Sequence, residues 1–146
     1  MNDTHSNIYQ IYIQTTADKL WEALTTGDIT QQYYFATRVE SDWKAGSPYA
    51  YNYDTGEPMV KGQLIEVDPP KRLVKTFQPV FAQGEGGQHV SKVTFEIEDF
   101  DGTCKLKLIH DDLDPSHPLS KGLMEGWTQI ISSLKTLLET GQAMPM

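Results

Sequence analysis

The sequence predicts an α+β fold in which a curved antiparallel sheet wraps around a long C-terminal helix. Short alternating stretches of apolar and polar residues, separated by turn signals, fill the middle of the chain. Two short helical patterns follow the first of these stretches. The C-terminal region carries apolar residues at helical spacing over several turns. Such a helix must bury its apolar side, and the concave face of a twisted sheet is the largest surface available.

The first part of the chain predicts one strand and two short helices. In residues 7–14, isoleucine and tyrosine alternate with polar residues, which is the period of a half-buried strand. Thr15 or Thr16 can cap the helix that follows, and Gly27 is expected to end it. A second, shorter helix is expected to run as far as Tyr33.

The middle of the chain predicts an antiparallel meander of strands. Turn signals such as Asp54-Thr55-Gly56 and Asp101-Gly102 divide it into short segments. Alternation is clearest in the last two segments, so one face of the sheet is expected to be apolar and the other to meet water. The predicted strands are residues 49–53, 60–67, 73–78, 90–98 and 103–110.

The predicted terminal helix carries a broad apolar stripe. Its members repeat at spacings of three and four, and Gly141 and Pro145 are expected to end the helix. The stripe consists of Leu119, Leu123, Trp127, Ile130, Ile131, Leu134, Leu137 and Leu138.

Length and charge limit the classes of function. A chain of 146 residues suits one domain, expected to span residues 1–146 with an ordered core at about 7–141. The formal net charge of −8, with dispersed Lys and Arg, argues against nucleic acid and anionic membranes as partners. Neither a signal peptide nor a long apolar span is evident, so we expect a cytoplasmic protein. Cys104 stands alone and alternates with leucines, which favours a place in the core.

The order of elements resembles that of the START-like, or SRPBCC, superfamily, whose domains have the helix-grip (Bet v1-like) fold. Three segments resemble the family of the activator of heat-shock protein 90 ATPase. They are residues 21–25 (Trp-Glu-Ala-Leu-Thr), the central hairpin at 62–73, and the terminal helix from Gly126-Trp127 to Gly141. Together they are spread over most of the chain, from residue 21 to residue 141. The resemblance implies a cavity between sheet and helix, and an association with a chaperone or with the stress response.

This cavity is the first candidate site, and its expected contents are a small, mostly apolar or lipid-like molecule. Apolar walls with a few phenolic hydroxyls can hold and orient such a ligand. The alternative is an ordinary filled core, because an apolar stripe is most often just that. The expected sheet wall is Tyr49, Tyr51, Tyr53, Phe77, Phe95 and Leu108. The expected helix wall is Leu123, Trp127, Ile130, Ile131 and Leu134, with Met124 near the entrance.

Three other candidates carry weaker signals. Residues 110–117 gather acidic and imidazole groups but lack any calcium or zinc spacing, so no metal is expected. The glycine-rich residues 83–88 precede a strand rather than a helix, which rules out a phosphate loop and suggests a mobile flap. His89 or Glu57 could carry protons beside Tyr51, yet no nucleophile lies next to a base in the pattern. We therefore expect no cofactor.

The leading hypothesis is non-catalytic binding of a small apolar ligand by a monomer or homodimer. One alternative is an interaction protein that contacts a chaperone or itself through its acidic surface and exposed aromatics such as Trp43. Another alternative is an enzyme of the cyclase or dehydratase kind, as some superfamily relatives are.

Overall fold

A computed structural model describes residues 5–82, 87–113 and 118–145. The described residues form seven strands and three helices, which follow one another in the predicted order apart from the short second strand. They are β1 (His5–Ile13), α1 (Ala17–Thr25), α2 (Gly27–Tyr33), β2 (Arg38–Ser41), β3 (Pro48–Asn52), β4 (Pro58–Asp68), β5 (Arg72–Phe77), β6 (Ser91–Asp99), β7 (Cys104–Leu113) and α3 (Pro118–Thr140).

All seven strands form one antiparallel sheet in the order β1-β7-β6-β5-β4-β3-β2. Consecutive strands are neighbours except for β1, which crosses to the far side and pairs with β7. This arrangement, with two short helices after the first strand and a long helix at the end, confirms the predicted helix-grip fold. Strand β2 spans only four residues, and the sequence pattern did not separate it from the surrounding turns.

The junction between α1 and α2 corrects one prediction. The hydroxyl of Thr16 accepts a hydrogen bond from the Lys19 amide, so Thr16 is the N-cap of α1. Helix α1 ends at Thr25, with Thr26 as its C-cap and also as the N-cap of α2. The expectation that Gly27 ends α1 was wrong, because Gly27 is the first residue of α2.

The core lies between the concave face of the sheet and α3. Phe95 of β6 is paired with Leu108 of β7, and both side chains are buried toward the helix. Trp127 of α3 packs on Phe95 with ring centroids 6.1 Å apart and on Phe77 of β5 at 5.9 Å. The apolar stripe of α3 therefore crosses the hollow of the sheet. The side chain of Leu119, the first residue of that stripe, lies outside the described residues.

The remaining features of the fold agree with a compact interior. Cys104 is a buried free thiol whose sulfur contacts the carbonyl of Thr15 at 3.5 Å. Within the described ranges, no helix is long and apolar enough to cross a membrane.

Candidate functional site

A cavity of about 450 Å³ lies at one end of the core, beside the first half of α3. The helix wall repeats at spacings of three and four, as expected for one face of a helix. Two of its members are glycines: nothing lies within 4 Å of a Cβ added at Gly122, and only the ring of Phe35 lies near one added at Gly126. The helix wall consists of Gly122, Leu123, Glu125, Gly126, Trp127, Gln129 and Ile130.

The facing wall comes from the sheet and from the loop after α2. Met59 and Val60 of β4 and Phe77 of β5 contribute buried apolar side chains. Tyr34 and Phe35 line the cavity from the segment between α2 and β2. Most of the lining is therefore aromatic or aliphatic, which suits an apolar ligand.

The mouth of the cavity carries exposed aromatic side chains. Phe35, Tyr53 and Phe81 line the cavity and are 38%, 39% and 47% exposed, respectively. Large exposed aromatics next to a cavity mark the side from which a ligand can enter.

The structure brings part of the sequence-predicted set to this cavity and places the rest elsewhere. Tyr53, Phe77, Leu123, Trp127 and Ile130 line it. Residues of the predicted set that are buried in the core away from its lining are Tyr49, Tyr51, Phe95, Leu108, Ile131 and Leu134. Met124 is 38% exposed on the helix, and its carbonyl accepts a hydrogen bond from the hydroxyl of Tyr9.

A physical reason separates the two groups. The cavity occupies one end of the concave face, whereas the sequence pattern marks every residue that points to that face. It cannot tell which of them lie at the cavity end. At β3 the space is filled, since the ring of Tyr34 lies flat on that of Tyr51, with centroids 4.0 Å apart and an angle of 11°. Tyr51 is thereby covered, and Tyr34 takes its place in the wall.

Sequence reasoning missed several lining residues. Tyr34 and Phe35 belong to a visible aromatic run at the exit of α2, which was a usable signal. Met59 and Val60 begin the buried part of β4, and Val60 is paired with Tyr51. Phe81 lies in a loop, where no periodic pattern could place it.

Behind the cavity wall, Trp127 is fixed by a buried hydrogen-bonded chain. Its indole Nε1 donates to Nδ1 of His110 at 2.8 Å. Because Nδ1 accepts, the proton of the neutral imidazole belongs on Nε2, which lies 2.6 Å from Oγ of Ser91. The Ser91 hydroxyl in turn donates to the carbonyl of Phe77 at 3.4 Å. Burial lowers the pKa of His110 to about 4, so the ring is neutral at pH 7.

A second buried polar group, Lys75 of β5, lies on the concave face. Its Nζ donates to the hydroxyl of Tyr51 at 2.7 Å. The same atom is 4.6 Å from the ring centroids of Tyr49 and Tyr51 and 5.2 Å from that of Phe95. Burial lowers the pKa of Lys75 to about 7. The strand period puts Lys75 on the same face as Leu73 and Phe77, a signal that sequence reasoning did not use.

The other sequence candidates lie away from the cavity. His89 is exposed, and its Nε2 is 2.6 Å from the carbonyl of Asp112. Glu57 is exposed, and its carbonyl accepts a hydrogen bond from the amide of Tyr53. The part of the chain that the structure describes holds no group of three His, Cys, Asp or Glu side chains suited to a metal. Two of the sequence candidates lie partly outside the described residues. Most of the predicted flap falls in residues 83–86, and half of the acidic loop falls in residues 114–117.

Comparison with known proteins identifies the family and the fold. The family model described as Activator of Hsp90 ATPase homolog 1-like protein matches residues 14–139. By sequence, no curated protein matches the chain significantly.

Solved structures with the same fold include proteins from three organisms. A protein from Mesorhizobium loti is 21% identical, with a TM-score of 0.78 over 92% of this chain and 96% of its own. The Aha1 dimer from Colwellia psychrerythraea is 18% identical, with a TM-score of 0.76 over 95% and 99%. An HSP90 activator from Plasmodium falciparum is 18% identical, with a TM-score of 0.75 over 91% and 95%. At these identities the likeness shows the fold alone.

Proposed function

Because the chain belongs to the Activator of Hsp90 ATPase homolog 1-like family and has a cavity beside α3, we propose that it binds a small, mostly apolar molecule there without catalysing a reaction. The observation that carries this proposal is the cavity itself. Its volume of about 450 Å³ lies within the range of about 300–1,000 Å³ usual for small-molecule sites.

The composition of the lining supports the same reading. Aromatic and aliphatic side chains from both walls supply apolar contact area, while few polar groups face the cavity. Tyr34, Tyr53, Glu125 and Gln129 are the lining residues with polar side-chain groups able to orient a ligand. A cavity that is mainly apolar with a small number of polar groups is typical of a ligand site.

A cavity-filling variant tests the proposal. Gly126→Leu adds a side chain to the cavity wall, where the new Cβ would lie 3.8 Å from the ring of Phe35. The same change replaces a helical glycine, so it stabilises the helix by roughly 0.5–1 kcal/mol rather than weakening it. The matched control is Thr128→Leu, two residues along α3 and exposed outside the cavity.

Binding is measured by the fluorescence of N-phenyl-1-naphthylamine, an apolar neutral probe. The wild type and Thr128→Leu are expected to bind the probe, and Gly126→Leu to bind it at least about tenfold more weakly. Equal binding by Gly126→Leu and the control would remove the cavity as the site.

The second candidate function is binding to a chaperone. The chain would then act in the stress response and be located in the cytoplasm. Two of the structurally similar proteins are an HSP90 activator and an Aha1 dimer, which favours this alternative and a homodimer. The exposed aromatics at the cavity mouth are the surface that a partner would cover.

The second candidate is tested by the ATPase rate of a heat-shock protein 90 chaperone with the purified chain. The chain is expected to stimulate the ATPase, and Phe81→Ser is expected to weaken this stimulation. Phe100→Ser is the control and should leave the stimulation intact, because Phe100 is about as exposed as Phe81 but packs beside Tyr12 on another surface. An unchanged ATPase rate removes this candidate, and light scattering decides between monomer and dimer.

A further inference from the structure

Lys75 is a buried amine without an acidic partner among the described residues. It is 1% exposed, and its hydrogen bond goes to the hydroxyl of Tyr51, not to a carboxylate. A buried cation is costly unless it is paired and hydrogen-bonded. An ammonium group has three N–H donors, and Tyr51 accepts one of them. The amine is thus able to bind a further acceptor.

We propose that the ligand carries a carboxylate or a similar acidic group, which Lys75 binds behind the Tyr34 ring of the cavity wall when that ring moves aside. This inference rests on the proposed binding of an apolar molecule in that cavity. It assigns the acid-binding role to one side chain and places the apolar part of the ligand against the aromatic walls.

The position of Lys75 connects it to the cavity. Phe77, which lines the cavity, is two residues farther along β5 and therefore on the same face as Lys75. Val60, also in the lining, is paired with Tyr51, the hydrogen-bond partner of the amine. The ring of Tyr34 lines the cavity and stacks on the ring of Tyr51, so it covers Tyr51 on the cavity side.

The segment that carries Tyr34 is under backbone strain. Phe35 and Ala36 have φ angles of 51° and 60°, in the left-handed region that residues with a Cβ seldom adopt. Strain of this kind is concentrated at ligand clamps and switch segments. Movement of this segment would lift the Tyr34 ring from its stack and open the path from the cavity to Lys75.

The surroundings of Lys75 favour an acid over a neutral polar group. The rings of Tyr49, Tyr51 and Phe95 stabilise the ammonium form through cation–π contact but accept no strong hydrogen bond. A carboxylate both neutralises the charge and accepts the remaining donors. Glu125 on the helix wall disfavours an acid near the exposed side, so the acidic end of the ligand points inward.

The experiment compares decanoic acid with decan-1-ol, which share an alkyl chain and differ in the head group. Each displaces N-phenyl-1-naphthylamine from the wild type, from Lys75→Met and from Lys61→Met, an exposed lysine on β4 that serves as the control. At about pH 6, where the amine is protonated, the wild type and Lys61→Met are expected to prefer the acid. Lys75→Met is expected to lose about tenfold of that preference.

The outcomes separate the inference from the proposed function. An acid preference that Lys75→Met leaves unchanged, or a wild type that binds only the alcohol, overturns the role of Lys75 while cavity binding stands. A wild type that binds neither compound nor the fluorescent probe overturns both. A second measurement needs no variant: the acid preference of the wild type must shrink at about pH 9, because the amine is then neutral. A preference that persists there contradicts the inference.

Discussion

Nζ of Lys75 lies 2.7 Å from the hydroxyl oxygen of Tyr51 in the middle of the core. Both side chains are fully buried, and burial raises the pKa of the Tyr51 phenol while it lowers that of the Lys75 amine. The pair is therefore uncharged or singly charged near neutral pH. This relationship links the interior of the sheet to the cavity, because Tyr51 is the residue on which the cavity-lining Tyr34 stacks.

The first prediction is that stability rises with pH above neutrality. The pKa of Lys75 is about 7 in the folded chain, whereas the ordinary value, which applies to the unfolded chain, is 10.5. Between these two pH values the unfolded chain binds one proton more than the folded chain. Stability therefore increases by up to about 1.4 kcal/mol per pH unit across this window and is lowest below it. Urea unfolding at a series of pH values measures the slope.

Lys75→Met is the matched variant for that slope. Removing the buried amine is expected to flatten the rise, because the variant has no group at this position that holds its proton only in the unfolded chain. A variant that keeps the wild-type slope would show that another group titrates in this window.

The second prediction concerns acid sensitivity. His110 has a pKa of about 4 in the folded chain and 6.5 as the ordinary value. The unfolded chain binds the additional proton between these values, so stability is full above pH 6.5 and falls toward pH 4. His110→Gln is expected to remove this part of the acid dependence, although the variant is less stable at neutral pH. An acid slope identical in both proteins contradicts the prediction.

The third prediction tests the close approach of β4 and β5. A Cβ at Gly62 would overlap the carbonyl oxygen of Thr76, and backbone cannot move aside cheaply. Gly62→Ala is therefore expected to destabilise the chain by about 1–3 kcal/mol. The control is Gly122→Ala, where nothing lies within 4 Å and the helix gains roughly 0.5–1 kcal/mol. Thermal unfolding of the two variants should shift in opposite directions.

The fourth prediction concerns Thr30, which holds α2 against β2. Its buried hydroxyl donates to the carbonyl of Thr37 at 3.0 Å and accepts from the amide of Val39 at 3.0 Å. Thr30→Val keeps the shape but leaves both backbone groups without this partner, at an expected cost of about 1–3 kcal/mol. Thr128→Val, on the exposed side of α3, is the control and should change stability by under about 0.5 kcal/mol. Equal losses in urea unfolding would contradict the role of the Thr30 hydroxyl.

The sequence alone was enough to predict the inward face of the sheet and the order of elements apart from the four-residue β2. Phe95 and Leu108, for example, follow a period of two in adjacent strands, and such local patterns survive folding. The position of the cavity along that face could not be predicted from the sequence, because it depends on where the segment after α2 places Tyr34. The same tertiary contact covers Tyr51, whose strand position alone suggested a lining residue.

Polar residues in the core were harder still. Lys75 sits between apolar residues of β5 on the concave face, yet a single lysine in a strand usually lies in solvent. Its burial follows from the aromatic rings that three other positions supply from β3 and β6. Those positions are distant in sequence, so only the folded chain reveals the cluster.

The central claim is that the space beside α3 receives a small apolar ligand. The most direct measurement is a titration of the isotope-labelled chain with decanoic acid, followed through backbone amide and indole NMR signals. We expect the signals of Gly122, Gly126 and the Trp127 indole to shift together and to saturate, while that of Tyr12, which lies outside the cavity lining, stays in place. Signals at the cavity that do not move, or larger shifts on β1, would contradict the claim.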